Sequence, residues 1–253
     1  MLKARVYEAQ FQHLEQKVLP AVKATTVKAK RSDMGAARAE HLERWWQFWN
    51  VRKDMRAALR RLPRYIACSQ VTKRPVFAFI SRDICPDATL QVFAFADDYS
   101  FGILSAAPHW EWFKANCSKL TERFRYTRKS VWDTFPWPQS PTKKQVLAVA
   151  EAGREIRRIR AEVLPTLKGG LRALYRTLEL PGRSELKDAH AALDAAVLDA
   201  YAFAPAADLL TQLLNLNLTL AAALDRGDPA TAPGIPPTYP TPEDLVTGDC
   251  IGA

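Results

Sequence analysis

The sequence predicts an α+β fold: a small, mainly antiparallel sheet with flanking helices, followed by a C-terminal α-helical bundle. Three observations predict it. Apolar residues recur at helical spacing over the first sixty residues. The period then shortens to two between residues 65 and 95. Beyond residue 141 long helical stripes return, each opened by a capping residue. With 253 residues, 48% hydrophobic and 25% charged, the chain is long enough to bury a sizeable core.

The elements follow in order. A loosely helical stretch runs over 8–27 and is interrupted at Pro20. A basic segment, 26–31, separates it from a helix over 36–49, where Leu42, Trp45, Trp46 and Trp49 share one face. This spacing makes the tryptophans core residues before it makes them base-stacking platforms. A short helix over 53–61 precedes Pro63. Residues 65–71 and 76–80 read as strands joined by a hairpin turn at Thr72-Lys73-Arg74-Pro75. Residues 90–95 read as a third strand. Asp97-Asp98-Tyr99-Ser100 is a polar break, and 101–104 reads as a fourth strand or the start of a helix. A short aromatic helix is expected over 109–116. Residues 123–134 alternate basic and bulky side chains and read as extended. Phe135-Pro136-Trp137-Pro138 must be irregular, because proline restricts itself and its predecessor.

Thr142-Lys143-Lys144-Gln145 has the form of a capping box. A stripe of Val146, Val149, Ile156, Ile159, Val163 and Leu167 follows, and Gly169-Gly170 ends it. Ser184 and Asp208 cap two more helices. Residues 229–242 hold six prolines in fourteen positions and read as a tail. The expected parts are a helical lead-in over 1–63 packed on the domain that follows, a sheet-containing domain over 64–140, a helical domain over 141–226 and a Pro-rich tail over 227–253.

Charge is unevenly spread. Lys plus Arg number 36 and Asp plus Glu 27, a net charge of +9. Residues 1–140 hold 24 and 13, a balance of +11, while residues 141–253 hold 12 and 14, a balance of −2. Two parts with different electrostatic jobs are the simplest account, and the first favours a polyanionic partner.

Several classes are set aside. The four cysteines, Cys68, Cys85, Cys117 and Cys250, form no C-x-x-C pair, and nothing suggests a disulfide framework, so a reducing compartment, the cytoplasm, is expected. No apolar run approaches the ~20 residues of a membrane span, and the charged start Met1-Leu2-Lys3-Ala4-Arg5 does not lead into a signal-peptide core. Phosphate-binding glycine loops and nucleophile elbows do not occur. His13, His41, His109 and His190 are far apart and suggest no metal site. Glu185-Leu186-Lys187 has the form of a nuclease half-site, but Ser184 makes it a helix start. Adjacent Asp97 and Asp98 read as a polar turn. No catalytic constellation stands out.

What remains is basic residues interleaved with aromatics. If 123–125 is extended, Arg123 and Arg125 point to one face and Phe124 to the other. Guanidinium forks suit phosphate oxygens and the O6/N7 edge of guanine. Arg123 and Arg125 are therefore the first candidates for base contact, followed by Lys73 and Arg74. Asp97 and Glu122 are candidates to accept from a cytosine or adenine amino group. Arg128 and Lys129 are phosphate-contact candidates, which position without specifying; Tyr99 and Ser100 are grouped with them.

These residues also carry a resemblance. Glu43-Arg44-Trp45-Trp46-Gln47-Phe48-Trp49, then Arg64-Tyr65-Ile66-Ala67-Cys68-Ser69-Gln70-Val71, resemble the target-recognition region of MmeI-like enzymes. These are single-chain type II restriction–modification proteins that methylate adenine in DNA. The resemblance continues through Phe93-Ala94-Phe95-Ala96-Asp97-Asp98-Tyr99-Ser100-Phe101-Gly102, and is strongest at Arg125-Tyr126-Thr127 and Trp132-Asp133-Thr134-Phe135-Pro136-Trp137-Pro138. Residues 193–201 and 213–217 resemble that family's C-terminal helices. The family's Asn-Pro-Pro-aromatic motif and cofactor loop do not occur in these residues.

The resemblance implies a duplex-DNA recognition module that works with a methyltransferase domain or subunit. It implies no cofactor held by this chain, and S-adenosylmethionine bound in the methyltransferase. The residues leave two other readings open: a specificity subunit of a methyltransferase active only with its partner chain, and a protein-interaction scaffold with a basic face.

Overall fold

The computed structural model describes residues 2–29, 35–47, 52–120 and 123–252. The chain forms two compact units, Met1–Ala57 and Ala58–Ala253.

The first unit is helical, with α1 (Leu2–Arg5), α2 (Glu8–Lys17), α3 (Leu19–Ala29) and α4 (Gly35–Glu43); α5 (Lys53–Leu59) reaches into the second. Pro20 sits in the first turn of α3, where its missing N–H has no partner to lose. Phe11, Val22 and Trp45 form the core, with Leu14, Val18, Leu42 and Trp46 packed around them. The helix expected over 36–49 stops at Glu43. The chain leaves it through tight turns, Arg44 N–H to His41 O and Gln47 N–H to Arg44 O. From there the Trp45 ring reaches Phe11, 5.3 Å between centroids. Trp49 lies outside the described residues.

The second unit holds two small antiparallel sheets. The first has the order β3-β1-β4, from β1 (Arg64–Ser69), β3 (Ala78–Ser81) and β4 (Leu90–Phe93). The second has the order β2-β6-β5, from β2 (Val71–Thr72), β5 (Ser118–Leu120) and β6 (Arg123–Arg125). β1 and β3 pair as expected, Arg64 opposite Ser81 and Ala67 opposite Ala78. Their connection is not a tight hairpin, because β2 leaves to pair with β6. Gln70 makes the switch. Its N–H donates to Thr89 O at 2.8 Å, and its carbonyl accepts from Tyr126 N–H at 2.8 Å.

Residues 101–104 are helical, inside α6 (Asp98–Ser105); α7 (Ala107–Asn116) follows. The extended stretch expected over 123–134 ends at Arg125. Residues Arg128–Trp132 form a π-helical turn, closed by Asp133 N–H to Arg128 O and holding Val131 fully buried. The C-terminal helices are α8 (Lys143–Val163), α9 (Gly170–Arg176), α10 (Glu185–Tyr201) and α11 (Leu209–Asp225). The expected caps form. Thr142 and Gln145 make both halves of a capping box, and the Ser184 and Asp208 side chains accept from Lys187 and Thr211 N–H.

The boundaries expected at 140 and 226 are not breaks in packing. One core cluster runs from Ile66, Phe93 and Phe113 through Val149, Ile156 and Leu193 to Tyr239 and Leu245. The Pro-rich segment is therefore no tail. Tyr239 and Leu245 are buried, and Ile251 pairs its main chain with β3 through Ser81 N–H and Phe79 O. Its hold is also ionic. Asp98, fully buried, accepts from Arg64 at 2.7 Å, Arg154 at 2.5 Å and Arg157 at 2.7 Å. Asp249 binds the same Arg64 and Arg157, at 3.0 and 2.6 Å. Burying this many charges is tolerable only because each guanidinium finds a carboxylate. Among the described residues no helix is long and apolar enough to cross a membrane.

Candidate nucleic-acid interface

β6 is the middle strand of its sheet, with Phe124 opposite Thr72 on one side and Lys119 on the other. Alternation along the strand exposes Arg123 and Arg125 and turns Phe124 inward. The Phe124 ring lies 5.7 Å from Phe113 and 6.1 Å from Trp110. The next residue fixes the strand more firmly. Tyr126 is buried, stacks on Phe113 at 5.4 Å, and bonds His109 Nε2 through its hydroxyl at 2.9 Å. The two guanidinium groups thus project from an anchored backbone. Among the described residues neither makes an ion pair.

Lys73 is exposed in the turn after β2. That turn is held by Thr72 Oγ1, which donates to Arg74 O at 2.8 Å and accepts from Arg74 N–H at 3.3 Å. Arg74 does not project as a hairpin-tip residue would. It is half-buried over Trp110, 5.3 Å from the ring centre. Burial lowers its pKa, opposed by the negative charges of Asp194, Glu179 and Glu111.

The opposite wall comes from α9. Gly169 and Gly170, at φ of 103° and 64°, turn the chain through backbone conformations that other residues resist. Leu174 and Tyr175 then bury one side of α9, with the Tyr175 hydroxyl bonded to Arg160 and His190. Arg172 and Arg176, one turn apart, stay exposed. Between α9 and the β2–β6 sheet lies a cleft of about 570 Å³. Its lining includes Ser69, Val71, Thr72, Val76, Leu171 and Tyr175, five cations (Lys73, Arg74, Arg123, Arg172 and Arg176) and one carboxylate, Glu179. Such a basic concavity concentrates polyanions.

Sequence reasoning missed the α9 wall. The available signal was Arg172-x-x-x-Arg176 around the apolar pair Leu174-Tyr175, directly after Gly169-Gly170.

Other candidates are placed elsewhere. Asp97 is buried and is the N-cap of α6; its carboxylate accepts from Ser100 N–H at 2.7 Å and Ser100 Oγ at 2.9 Å. Burial, partly offset by those bonds, raises its pKa to about 6. Tyr99 and Ser100 are buried in the first turn of the same helix. None of the three reaches a DNA surface, because helix α6 is enclosed on nearly every residue. Arg128 is exposed and paired with Asp133 at 3.2 Å; Lys129 is exposed beside it. Glu122 lies outside the described residues. Among the described residues no group of three or more His, Cys, Asp or Glu could hold a metal ion.

Comparison with known proteins agrees with this architecture. Residues 7–139 match the family model described as "MmeI, target recognition domain". A relative, "DNA methyltransferase A" of Bacillus subtilis (strain 168), is 36% identical over 107 residues, which are 42% of this chain and 11% of the relative. A solved structure of the type IIL restriction–modification enzyme MmeI in complex with DNA shares the fold, with a TM-score of 0.65 at 23% identity. The match covers 81% of this chain and 26% of that one, so the chain spans about a quarter of the solved protein and a tenth of the curated relative. The family match extends over more than half of the chain, from the N-terminal helices through both sheets, and the protein belongs to the MmeI target-recognition-domain family.

Proposed function

We propose that the chain recognises a specific sequence in duplex DNA on behalf of a restriction–modification methyltransferase. The observation that carries this reading is the exposed pair Arg123 and Arg125 on an anchored strand beside a cleft lined by five cations. By contrast, Arg64, Arg154 and Arg157 are consumed in neutralising Asp98. At the cleft, Arg123, Arg172 and Arg176 are exposed and, among the described residues, form no ion pair. Arg123 and Arg125 read base edges, Lys73 and Arg74 line the approach, and Lys129 with Arg128 meets phosphate.

In this reading the chain works in the cytoplasm, and S-adenosylmethionine is bound by the methyltransferase domain or subunit that acts with it. A surface for that partner is available on α11, where Leu210, Leu214 and Leu218 are exposed along one side.

Titrating salt against binding of the full chain to duplex DNA tests the reading. Affinity is expected to fall with a log–log slope of about −0.9 per phosphate contacted. No binding, or binding indifferent to salt, overturns it.

A further inference from the structure

The cleft contains one group that repels a phosphate backbone. Glu179 is exposed in the 3₁₀ turn Thr177–Glu179, directly after α9. Five cations line the same cleft, yet among the described residues none approaches its carboxylate within the 4.0 Å of an ion pair. Its field reaches Arg74 without contact. Neither packing nor pairing accounts for it. In the major groove of duplex DNA, the groups from which a carboxylate accepts are the exocyclic amino groups of cytosine and adenine.

We infer that Glu179 is a specificity-determining residue that accepts a hydrogen bond from a cytosine or adenine amino group, while Arg172 and Arg176 on the same wall hold phosphates of the bound DNA. The inference rests on the DNA-recognition reading and deepens it. It places part of the base-reading surface at 172–179, beyond the residues 7–139 that match the family. The two walls then divide the work. The β6 wall offers donors to guanine, and the α9 wall offers an acceptor to amino groups.

The test is a binding-site selection with the full chain and with Glu179→Ala, alongside salt titrations of Arg172→Ala and Arg176→Ala. The wild-type chain is expected to select a defined site. Glu179→Ala should lose about 5- to 150-fold of discrimination at one base pair and keep the rest of the site. Each arginine variant should keep the whole site and flatten the salt slope by about 0.9. Glu179 is exposed, so its loss leaves the fold intact, which circular dichroism verifies. If Glu179→Ala selects the wild-type site unchanged and binds all sequences more tightly, Glu179 only repels phosphate and the inference fails alone. If the wild-type chain selects no site, the recognition reading fails and takes the inference with it.

Discussion

Gly102 lies so close to Val149 that a β-carbon added to it would stand 2.6 Å from Val149 Cγ1 and 2.9 Å from the Val149 carbonyl oxygen. The valine methyl can turn away, but the carbonyl belongs to the backbone of α8. On α8, a β-carbon at Gly153 would meet Asp98 O at 3.2 Å. The close approach of α6 to α8 therefore depends on both glycines. Gly102→Ala should destabilise the second unit by about 1–3 kcal/mol, the usual cost of overfilling a packed core. Chemical denaturation measures this, and an unchanged midpoint would refute the proposed crossing.

Arg125 and Arg128 should behave differently on DNA. Arg125 projects from the anchored strand without an ion pair among the described residues, whereas Arg128 leans on Asp133 at 3.2 Å. Arg125→Ala should cost about 1–3 kcal/mol of discrimination at one base pair. Arg128→Ala should weaken binding to all sequences alike. Site selection on both variants separates the cases, and a uniform loss in Arg125→Ala would reduce that arginine to a backbone clamp.

Removing Asp98 should do more damage than removing Asp249. Without Asp98, Arg64 stays buried with only Asp249 as counter-charge, and Arg154 loses its carboxylate. Breaking a buried ion pair from one side typically costs about 3–5 kcal/mol. Asp249→Ala leaves Asp98 holding Arg64 and Arg157, so its cost should be smaller. Thermal unfolding of the two variants gives the order, and equal melting temperatures would contradict it.

Acid should reveal a balance among three buried groups, Asp97, His109 and His190, and the half-buried Asp194. Burial lowers the pKa of His109 and His190 to about 3, with Arg160 and Arg74 adding to the effect at His190. Their contribution is present above about 6.5 and is lost as pH falls toward 3. Burial raises Asp97 and Asp194 to about 6. Their contribution is present below about 4 and is lost as pH rises through 6. Between pH 4 and 6 the two pairs cancel, and their joint effect on stability should be nearly flat. Asp97→Asn keeps a cap on α6 and removes one of the two aspartates from the balance. That variant should lose about 1.4 kcal/mol more than wild type for each pH unit of acidification in this window. Denaturant titrations at pH 4, 5 and 6 measure the difference, and parallel curves would exclude it.

What was legible in the sequence was short-range. A cap closes over three residues, so Thr142, Ser184 and Asp208 announce their helices without help from the rest of the chain. Alternation in Arg123-Phe124-Arg125 likewise shows which side chains face out once the segment is extended. Asp97 carried the same local signal, with Ser100 three residues on, but two adjacent acids resembled a surface turn more than a cap. The cleft was not legible, because Arg123 and Arg176 are brought together by the packing of α9 and no local pattern links them. Nor was the fate of the Pro-rich segment. Its prolines break every period, and its hold comes from Asp249 meeting arginines 92 and 185 residues away.

The sheet that carries Arg123 and Arg125 has a further consequence, through the way it is mounted. Gln70 and Tyr126 join it to the first sheet by main-chain atoms, and Phe124 and Tyr126 supply its inward grip. Positions 123 and 125 are therefore decoupled from folding. Under the proposed function, mutation can try many polar side chains there at little cost to stability and alter chiefly the preference for DNA sequence. On that proposal, what is read can change by single steps at these two positions while the scaffold stands still.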